Sequence, residues 1–395
     1  MQRVLIGLAS LLLLFSAVTG VSWAAPKELV LGCNFILSGP AATLGIATQR
    51  GAEHAAEVIN RSGFKVQGEQ YVLKLEYFDS KYLPAEGMSN LEKMLNHGIR
   101  YIFTLSSGVS VPLVERTNMA KMLQLTDGSG ADHLTSPKYP LSFRVTPNNE
   151  TAYAVYPWLA KKYPQIKTIA NINPTDEAGF TESETRVRCA KNLGMKSIAN
   201  EMYKRGATDF YPVATKITAL KPDMVDFGCT LGRDQALCGK ALREVGYKGM
   251  MLVNYPDPGA FVEMAGRDAA EGAILSSAIT EPQTPKQKEL YEFYVKKFGN
   301  PVINKFYDSY DPIFMFVEAV KKANSLDPVQ IAEALRTVRW DSVYGEMYVG
   351  MESLYGIKSC FCRPLPMGII KNGKPMHLDT VPWPSNDVIA KLVRD

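Results

Sequence analysis

Two adjacent serines, Ser106 and Ser107, follow a short apolar run that is rich in β-formers and is predicted to be a strand. They stand where the next helix is expected to begin, and no basic residue adjoins them. A hydroxyl together with the free backbone N–H groups of a helix N-terminus can hold a carboxylate without an arginine. The sequence therefore predicts a small-carboxylate site at this strand-to-helix junction.

A second strand-to-helix junction lies near the start of the chain. The apolar run 29–35 opens into the small-residue loop 37–45, and an amphipathic helix follows and ends at Ile59 and Asn60. Open α/β sheets bind ligands outside the carboxyl ends of their strands. Both junctions therefore predict a small-molecule site at the same edge of a sheet.

Catalysis is not expected of this chain. It has no phosphate loop, no G-x-S-x-G elbow and no H-E-x-x-H motif, and its four histidines are far apart in the sequence. The glycines at 128 and 130 lack the third member of a dinucleotide fingerprint. We expect no enzyme activity, no cofactor and no metal.

The six cysteines allow about 15 disulfide pairings, and their spacing does not choose among them. Cys229 and Cys238 are the first pair to test for a disulfide. Cys360 and Cys362 would project the same way from a strand as a metal or redox pair, but no nearby His or third Cys completes a zinc set. Buried or disulfide-bonded structural thiols are the favoured interpretation.

The first 24 residues have the pattern of a signal peptide, with Arg3 as their only charge and an apolar core at 11–18. Small residues at Ser22 and Ala24 predict cleavage after Ala24 and a periplasmic protein. The alternative is lipidation at Cys33, but Cys33 falls inside the first predicted strand. No second apolar stretch is long enough for a membrane span, so no membrane insertion is expected after cleavage. A formal net charge of +4 gives no reason to expect nucleic acid as a partner.

Apolar, β-rich runs alternate with helical stretches along the chain, which predicts βαβ units and parallel sheets. The predicted strands are 29–35, 72–78, 101–105, 122–126, 167–172, 197–202, 224–227 and 250–253. Pro84 is predicted to open a helix, and Asp311-Pro312 and Asp327-Pro328 are each predicted to set an N-cap followed by a proline at the first helical position.

The strand series restarts after the extended segment 141–147, which predicts two lobes. We expect the N-terminal lobe to comprise residues 27–145 and 276–346, and the C-terminal lobe 146–275 and 347–395. Two lobes joined by more than one crossing form a hinged cleft that closes around a ligand.

Several short motifs, each weak alone, occur in a specific order and spacing between about residues 29 and 338. They are Ser38-Gly39-Pro40, Gly45, Gly51-Ala52, Ile59-Asn60, Asp79, Pro84, Phe143-Arg144-Val145-Thr146-Pro147 and Tyr307 to Asp311. In this the chain resembles the periplasmic substrate-binding proteins of branched-chain amino acid ABC transporters. The resemblance implies an α/β protein of the type I periplasmic binding protein fold, with two Rossmann-like lobes, parallel sheets and a three-crossing hinge. It also implies a monomer without catalysis whose partners are a small ligand and a membrane ABC permease.

The resemblance also implies a set of ligand-binding residues. The stretch with Ser106 and Ser107 matches the loop that holds the ligand carboxylate. Pro256-Asp257 matches the place where an acidic residue pairs with the ligand ammonium, although Asp257 could instead cap the next helix. The implied ligand-binding set is Leu44, Tyr82, Ser106, Ser107, Gly128, Ser129, Gly130, Asp176, Thr230, Tyr255 and Asp257.

Three positions depart from the family pattern. Gly130 stands at the threonine that contacts the amino acid, with Ser129 as its substitute. Ala178, before Gly179, and Leu44 stand where aromatics are common, and Tyr82 and Tyr255 are expected to fill that space. The ligand expected first is a branched-chain or related amino acid, because Asp257 and the two serines supply both halves of a zwitterion site. The alternatives are a small aromatic or aliphatic carboxylate, an amide, or a periplasmic sensor role for the same fold.

Overall fold

Parallel strands dominate the two sheets of the computed structural model, which describes residues 25–39, 41–299 and 302–394. The expected signal peptide lies outside these residues. The strands are β1 (Lys27–Phe35), β2 (Phe64–Val66), β3 (Glu69–Asp79), β4 (Tyr101–Leu105), β5 (Leu123–Asp127), β6 (Ser142–Arg144), β7 (Thr168–Pro174), β8 (Lys196–Tyr203), β9 (Met224–Asp226), β10 (Met250–Asn254), β11 (Ile274–Ser276), β12 (Arg339–Ser342), β13 (Gly345–Gly350), β14 (Cys360–Cys362), β15 (Leu365–Lys371) and β16 (Lys374–Val381). The eight predicted strands are confirmed, each within three residues of its expected bounds.

Helices cover both sheets. They are α1 (Ala42–Asn60), α2 (Pro84–Asn96), α3 (Ser107–Met119), α4 (Ala152–Lys162), α5 (Glu177–Asn192), α6 (Tyr211–Leu220), α7 (Arg233–Glu244), α8 (Pro258–Ala265), α9 (Arg267–Ala270), α10 (Pro285–Phe298), α11 (Lys305–Ala323), α12 (Pro328–Leu335), α13 (Glu352–Tyr355) and α14 (Asn386–Val393), with 3₁₀ turns at Asp132–Leu134 and Asn149–Thr151. None of the helices in the part of the chain that the structure describes has the length and apolar character that a membrane crossing requires.

The first sheet has the strand order β12-β13-β14-β6-β5-β4-β1-β3-β2, and its centre, from β3 to β6, is parallel. The second has the order β16-β15-β11-β10-β9-β7-β8, parallel from β8 to β11. We call each sheet with its helices a lobe. The fold is therefore the expected α/β architecture of two parallel-dominated sheets.

The chain passes between the sheets three times: after β6, after β11, and at Arg363-Pro364 between β14 and β15. The last passage differs from the expected boundary at 346/347. β13 pairs with β14, and β14 pairs with β6 of the first sheet. The β-rich tail is thus divided between the sheets, because the apolar pattern of a short strand does not encode which sheet it joins.

The expected N-cap at Asp311-Pro312 is wrong, because both residues lie inside α11. The Asp311 carboxylate instead accepts hydrogen bonds from the Trp340 indole (2.7 Å) and the Val343 backbone N–H (2.7 Å). These contacts fasten α11 to the β12–β13 hairpin. The parallel prediction at Asp327-Pro328 is confirmed, since Asp327 accepts from the N–H groups of Val329 and Gln330.

All six cysteines are buried and carry free thiols. Cys229 and Cys238 are therefore not bridged, and the suggestion of a disulfide between them is wrong for this structure. The Cys362 thiol donates to the Cys360 carbonyl oxygen at 3.4 Å. Within the described ranges no group of three or more His, Cys, Asp or Glu side chains is arranged to hold a metal ion. The favoured interpretation of structural thiols fits these positions.

Candidate functional site

The carboxyl ends of the two parallel sheets face each other across a cleft. Residues of the two lobes approach each other at several points. His133 Nδ1 lies 2.7 Å from Glu177 Oε1, and the Asn304 amide donates to the Pro256 carbonyl oxygen at 3.1 Å. A Cβ placed on Gly130 would lie 3.4 Å from the Ala178 Cβ. Gly130, one of the expected site residues, therefore lies between the lobes, at the sheet edge where α/β folds bind ligands.

Ser106 presents a hydroxyl that no described residue satisfies. Its backbone has a φ of +75°, which is costly for a residue with a side chain. Its N–H donates to the Asp127 carbonyl oxygen (2.9 Å), and its own carbonyl accepts from the Ser110 N–H (3.0 Å). Its Oγ is buried and has no hydrogen-bond partner among the described residues. The backbone is fixed while the hydroxyl stays available, as a ligand-binding group requires.

Ser107 has a different role, because its hydroxyl is already engaged. Its Oγ lies 3.1 Å from the Ser129 hydroxyl and accepts from the Gly130 N–H at 3.1 Å. The two hydroxyls join the start of α3 to the loop 128–130. Of the two predicted ligand hydroxyls, only that of Ser106 is unpaired, while Ser107 and Ser129 also hold the neighbouring loop.

The loop 128–131 is also held from behind by Arg144, which is buried. Its guanidinium donates to the Ser129 carbonyl oxygen (2.7 Å) and to that of Ala131, and it pairs with Glu150 at 3.2 Å. Because β6 ends at Arg144 and Glu150 lies on the first crossing, this side chain ties the site loop to the hinge.

Lys305, which the sequence reasoning missed, enters the site at the end of β5. Its ammonium lies 2.7 Å from Asp127 Oδ1 and 3.5 Å from Asp308 Oδ2. Burial alone would lower the pKa of Lys305, but the two carboxylates raise it, so the side chain stays protonated. A Cβ on Gly128, whose φ is +63°, would lie 3.2 Å from the ammonium, so the absence of a side chain at Gly128 leaves room for this contact.

Asp257 occupies the N-cap position of α8, but its side chain makes no capping hydrogen bond. The alternative role as a helix cap is therefore not seen. Burial raises the pKa of Asp257 to about 6, and Asp308 adds to the rise, while the Asn304 N–H and Lys305 offset it only in part. A carboxylate in this position is stabilised by a further cation.

Tyr255, expected to fill space at the ligand site, has a hydroxyl with several protein partners. Its hydroxyl lies 2.7 Å from the Thr151 hydroxyl and contacts the Asn148 carbonyl oxygen and, at 3.3 Å, Glu182 Oε1. The ring therefore links the end of β10 to the first crossing. Tyr255 positions the residues around Asp257 and Asn148.

Tyr82 lies at the mouth of the cleft and is 38% exposed. Its ring stands over Gly108, where an added Cβ would lie 3.6 Å from Tyr82 Cε2. Burial raises the pKa of Tyr82, and the charges of Arg205 and Asp176 in the second lobe act on it in opposite directions. Tyr82 therefore lies close enough to the second lobe to feel its charges.

The remaining predicted residues have structural contacts. Asp176 caps α5 through the Gly179 N–H (2.9 Å) and pairs with Arg205 at 2.8 Å. The Thr230 hydroxyl is fully buried and donates to the Ile172 carbonyl oxygen at 3.1 Å. Leu44 is half-buried in the first turn of α1 and offers only apolar surface.

The loop 37–45, expected at the ligand edge, is fastened to Asp79. The Leu37 N–H and the Ser38 hydroxyl both donate to the Asp79 carboxylate, at 2.9 and 2.5 Å. A Cβ on Gly45 would lie 1.8 Å from the Ile36 carbonyl oxygen, so only glycine allows α1 to start this close to β1. These contacts fix the junction in the cleft wall.

A buried ionic cluster lies beneath the second-lobe side of the cleft. Arg186 pairs with Glu182 (2.8 Å) and with Asp226 (3.0 Å), and all three side chains are fully buried. The Asn254 amide also donates to Asp226, at 2.7 Å. Burial raises the pKa of Glu182, whose other oxygen lies near the Tyr255 hydroxyl. The cluster thus supports the ends of β9 and β10.

Ser106→Ala is expected to weaken the binding of a carboxylate ligand by about 1.5 to 3 kcal/mol, or roughly 10- to 150-fold, because it removes one charge-assisted hydrogen bond. The stability of the free protein should not fall, since the hydroxyl has no partner to lose. Titration followed by intrinsic fluorescence measures the affinity. The exposed Ser62→Ala variant is the control, and equal affinities of the two variants would place the carboxylate elsewhere.

Comparisons with known proteins agree with this geometry. A family model described as "Periplasmic binding protein" matches residues 29–353. The chain is 24% identical over 323 residues to Leu/Ile/Val-binding protein homolog 3 of Brucella melitensis, covering 81% of this chain and 86% of that protein. A leucine-binding protein from Thermotoga maritima superposes with a TM-score of 0.75 at 18% identity, covering 90% of this chain and 99% of the other. A solute-binding protein of an ABC transporter from R. palustris, in complex with benzoate, gives 0.76 at 17% identity, covering 92% and 99%.

Proposed function

The chain belongs to the periplasmic binding protein family, and from that premise we propose that it captures a small amino acid, branched-chain or related, between its two lobes. In this role it is exported with cleavage near Ala24, works as a monomer in the periplasm, and delivers the ligand to a membrane ABC permease. It has no catalytic step.

One observation carries the proposal: the cleft offers an unpaired hydroxyl for a carboxylate in one lobe and an acidic side chain for an ammonium in the other. In the first lobe the Ser106 hydroxyl is buried without a partner at the N-terminus of α3, where the helix dipole favours an anion. In the second lobe the Asp257 carboxylate is incompletely compensated, as its raised pKa indicates. An α-amino acid would supply a carboxylate to the first and an ammonium to the second.

A small aromatic carboxylate is the second candidate. It is favoured by the small side chains of Gly130 and Ala178, which meet across the cleft, and by the similarity to the benzoate-bound protein of R. palustris. Such a ligand would bring no further cation to Asp257 in a closed cleft and would add a negative charge there, which is unfavourable. The amino acid therefore fits the charges better.

A thermal-shift screen distinguishes the candidates. L-Leucine, L-isoleucine or L-valine at 100 times its Kd should stabilise the protein by about 2.7 kcal/mol, and benzoate should give a smaller shift. A shift with benzoate and none with any amino acid would favour the second candidate and contradict the first.

Affinity for an amino acid is expected to fall as the pH falls through 6. The pKa of Asp257 is about 6 without ligand, and the ammonium binds the ionised form, so the affinity is full above pH 7 and about 10-fold weaker at pH 5. Equilibrium dialysis of L-leucine at pH 5, 6, 7 and 8 measures the trend. A pH-independent affinity, or a trend that persists in Asp257→Asn, would show that another group is responsible.

A further inference from the structure

We propose that Asn148, on the first crossing between the lobes, is a ligand-binding residue whose side-chain oxygen accepts a hydrogen bond from the ligand amine. This inference rests on the proposed function and specifies it: the ligand must carry an N–H donor at the hinge side of the cleft. Asn148 was not among the residues expected from the sequence.

The backbone of Asn148 is held from both sides. Its N–H donates to Glu150 Oε2 at 2.8 Å. Its carbonyl oxygen accepts from the Thr151 N–H (2.9 Å) and hydroxyl (2.7 Å), and from the Tyr255 hydroxyl. These contacts fix the residue at the hinge before any ligand enters. The side chain is therefore presented from a rigid base, which limits the entropy lost on binding.

The side-chain oxygen of Asn148 is buried and has no hydrogen-bond partner among the described residues. It lies 3.3 Å from the position that a Cβ on Gly130 would take, and that same position is 3.4 Å from the Ala178 Cβ. The oxygen thus borders the gap where the site loop of the first lobe meets the start of α5 in the second. The side-chain oxygen of Asn148 therefore lies between the two lobes.

An unpartnered buried carbonyl oxygen determines which ligand groups can bind beside it. It can only accept a hydrogen bond, so it favours an N–H or O–H group and repels a carboxylate. The Tyr255 hydroxyl contacts the Asn148 backbone, so Asn148 packs against the segment that carries Asp257 two residues later. Ser106 supplies a donor hydroxyl in the first lobe. The arrangement orients an amino acid with its ammonium toward Asn148 and Asp257.

Two substitutions test the role. Asn148→Ala removes the acceptor and should weaken L-leucine binding by roughly 10- to 100-fold. Asn148→Asp keeps the acceptor and adds a negative charge, so it should bind L-leucine within about threefold of wild type or more tightly. The same Asp variant should bind 4-methyl-2-oxopentanoate, the deaminated analogue, at least 10-fold more weakly than wild type does, through charge repulsion. Asn372→Asp, in the exposed turn between β15 and β16, is the control for net charge.

Calorimetric titration of the full mature chain with both compounds gives the affinities, and thermal melting confirms that each variant is folded. Unchanged leucine affinity in Asn148→Ala would overturn the inference, because the oxygen would then face only water. Equal losses of leucine affinity in Asn148→Ala and Asn148→Asp would also overturn it, since the Asp carboxylate should still accept a hydrogen bond from the ligand ammonium. If the wild type binds leucine and the variants give either of these two results, only the role of Asn148 is wrong. If the wild type binds no amino acid, the proposed function fails with it.

Discussion

Replacing Asp257 by Asn is expected to weaken L-leucine binding by about 3 to 4 kcal/mol, or roughly 150- to 1000-fold. The carboxylate is half-buried beside the N-terminus of α11, and its pKa of about 6 indicates that the protein alone compensates its charge only in part. The neutral amide would leave the ligand ammonium desolvated without a counter-charge, which costs much more than a lost neutral hydrogen bond. Calorimetric titration of wild type and variant measures the loss.

The matched control is Asp209→Asn, an exposed residue that accepts a hydrogen bond from the Tyr211 N–H near the start of α6 in the same lobe. It makes the same chemical change far from the cleft and should leave the affinity unchanged. Tight leucine binding by Asp257→Asn would show that the ammonium lies elsewhere. Tighter binding of 4-methyl-2-oxopentanoate by Asp257→Asn than by wild type is expected, because a repulsive charge is removed.

Arg186→Met is expected to lower the free energy of unfolding by about 3 to 5 kcal/mol, the usual cost of breaking a buried ion pair by removing one partner. Glu182 and Asp226 would be left buried and without the cation that compensates both of them. Burial already raises the pKa of Glu182, so the variant should also gain stability as the pH falls and this carboxyl is protonated. Urea denaturation followed by circular dichroism measures the change.

An exposed pair provides the comparison for Arg186. Arg116 makes a two-point contact with Glu92 at 2.7 and 3.1 Å, but both side chains are largely in solvent. Arg116→Met should cost less than about 1 kcal/mol. Adding Glu182→Gln to Arg186→Met should recover part of the lost stability, since one unpaired charge is removed. Equal costs for the two arginine substitutions, or no recovery, would contradict the account of the cluster.

The local hydrophobic pattern of the sequence was sufficient to predict most of the strands and helices of the fold. The strands and the helix starting at Pro84 were predictable, because buried parallel strands are continuous apolar runs between helices of a different period. The N-cap prediction at Asp311-Pro312 is wrong because an Asp-Pro dipeptide can also lie inside a helix. Here the Asp311 carboxylate is satisfied by tertiary contacts with Trp340 and Val343. The third crossing was misplaced because sheet membership of β13 and β14 depends on pairing with β6, more than 200 residues earlier.

Residues of the candidate site could be predicted only where their neighbours in the sequence indicate their role. Ser106 could be found because a serine at a strand-to-helix junction is visible in the sequence. Lys305 acts on Asp127 across 178 residues, and no spacing rule relates the two. Asn148 and Arg186 are single polar residues within ordinary stretches, and their importance comes from burial and from which atoms remain unpaired. Such properties arise only when the lobes are assembled.

Calorimetric titration of the wild-type protein tests the central claim most directly. The ligands are L-leucine, L-isoleucine and L-valine, each compared with its 2-oxo acid and with benzoate. We predict saturable binding of at least one amino acid with one site per chain, and weaker binding of the matching 2-oxo acid, because the Asp257 carboxylate and the Asn148 oxygen both favour an amine. Binding of benzoate or the 2-oxo acids alone, with no heat from any amino acid, would contradict the account.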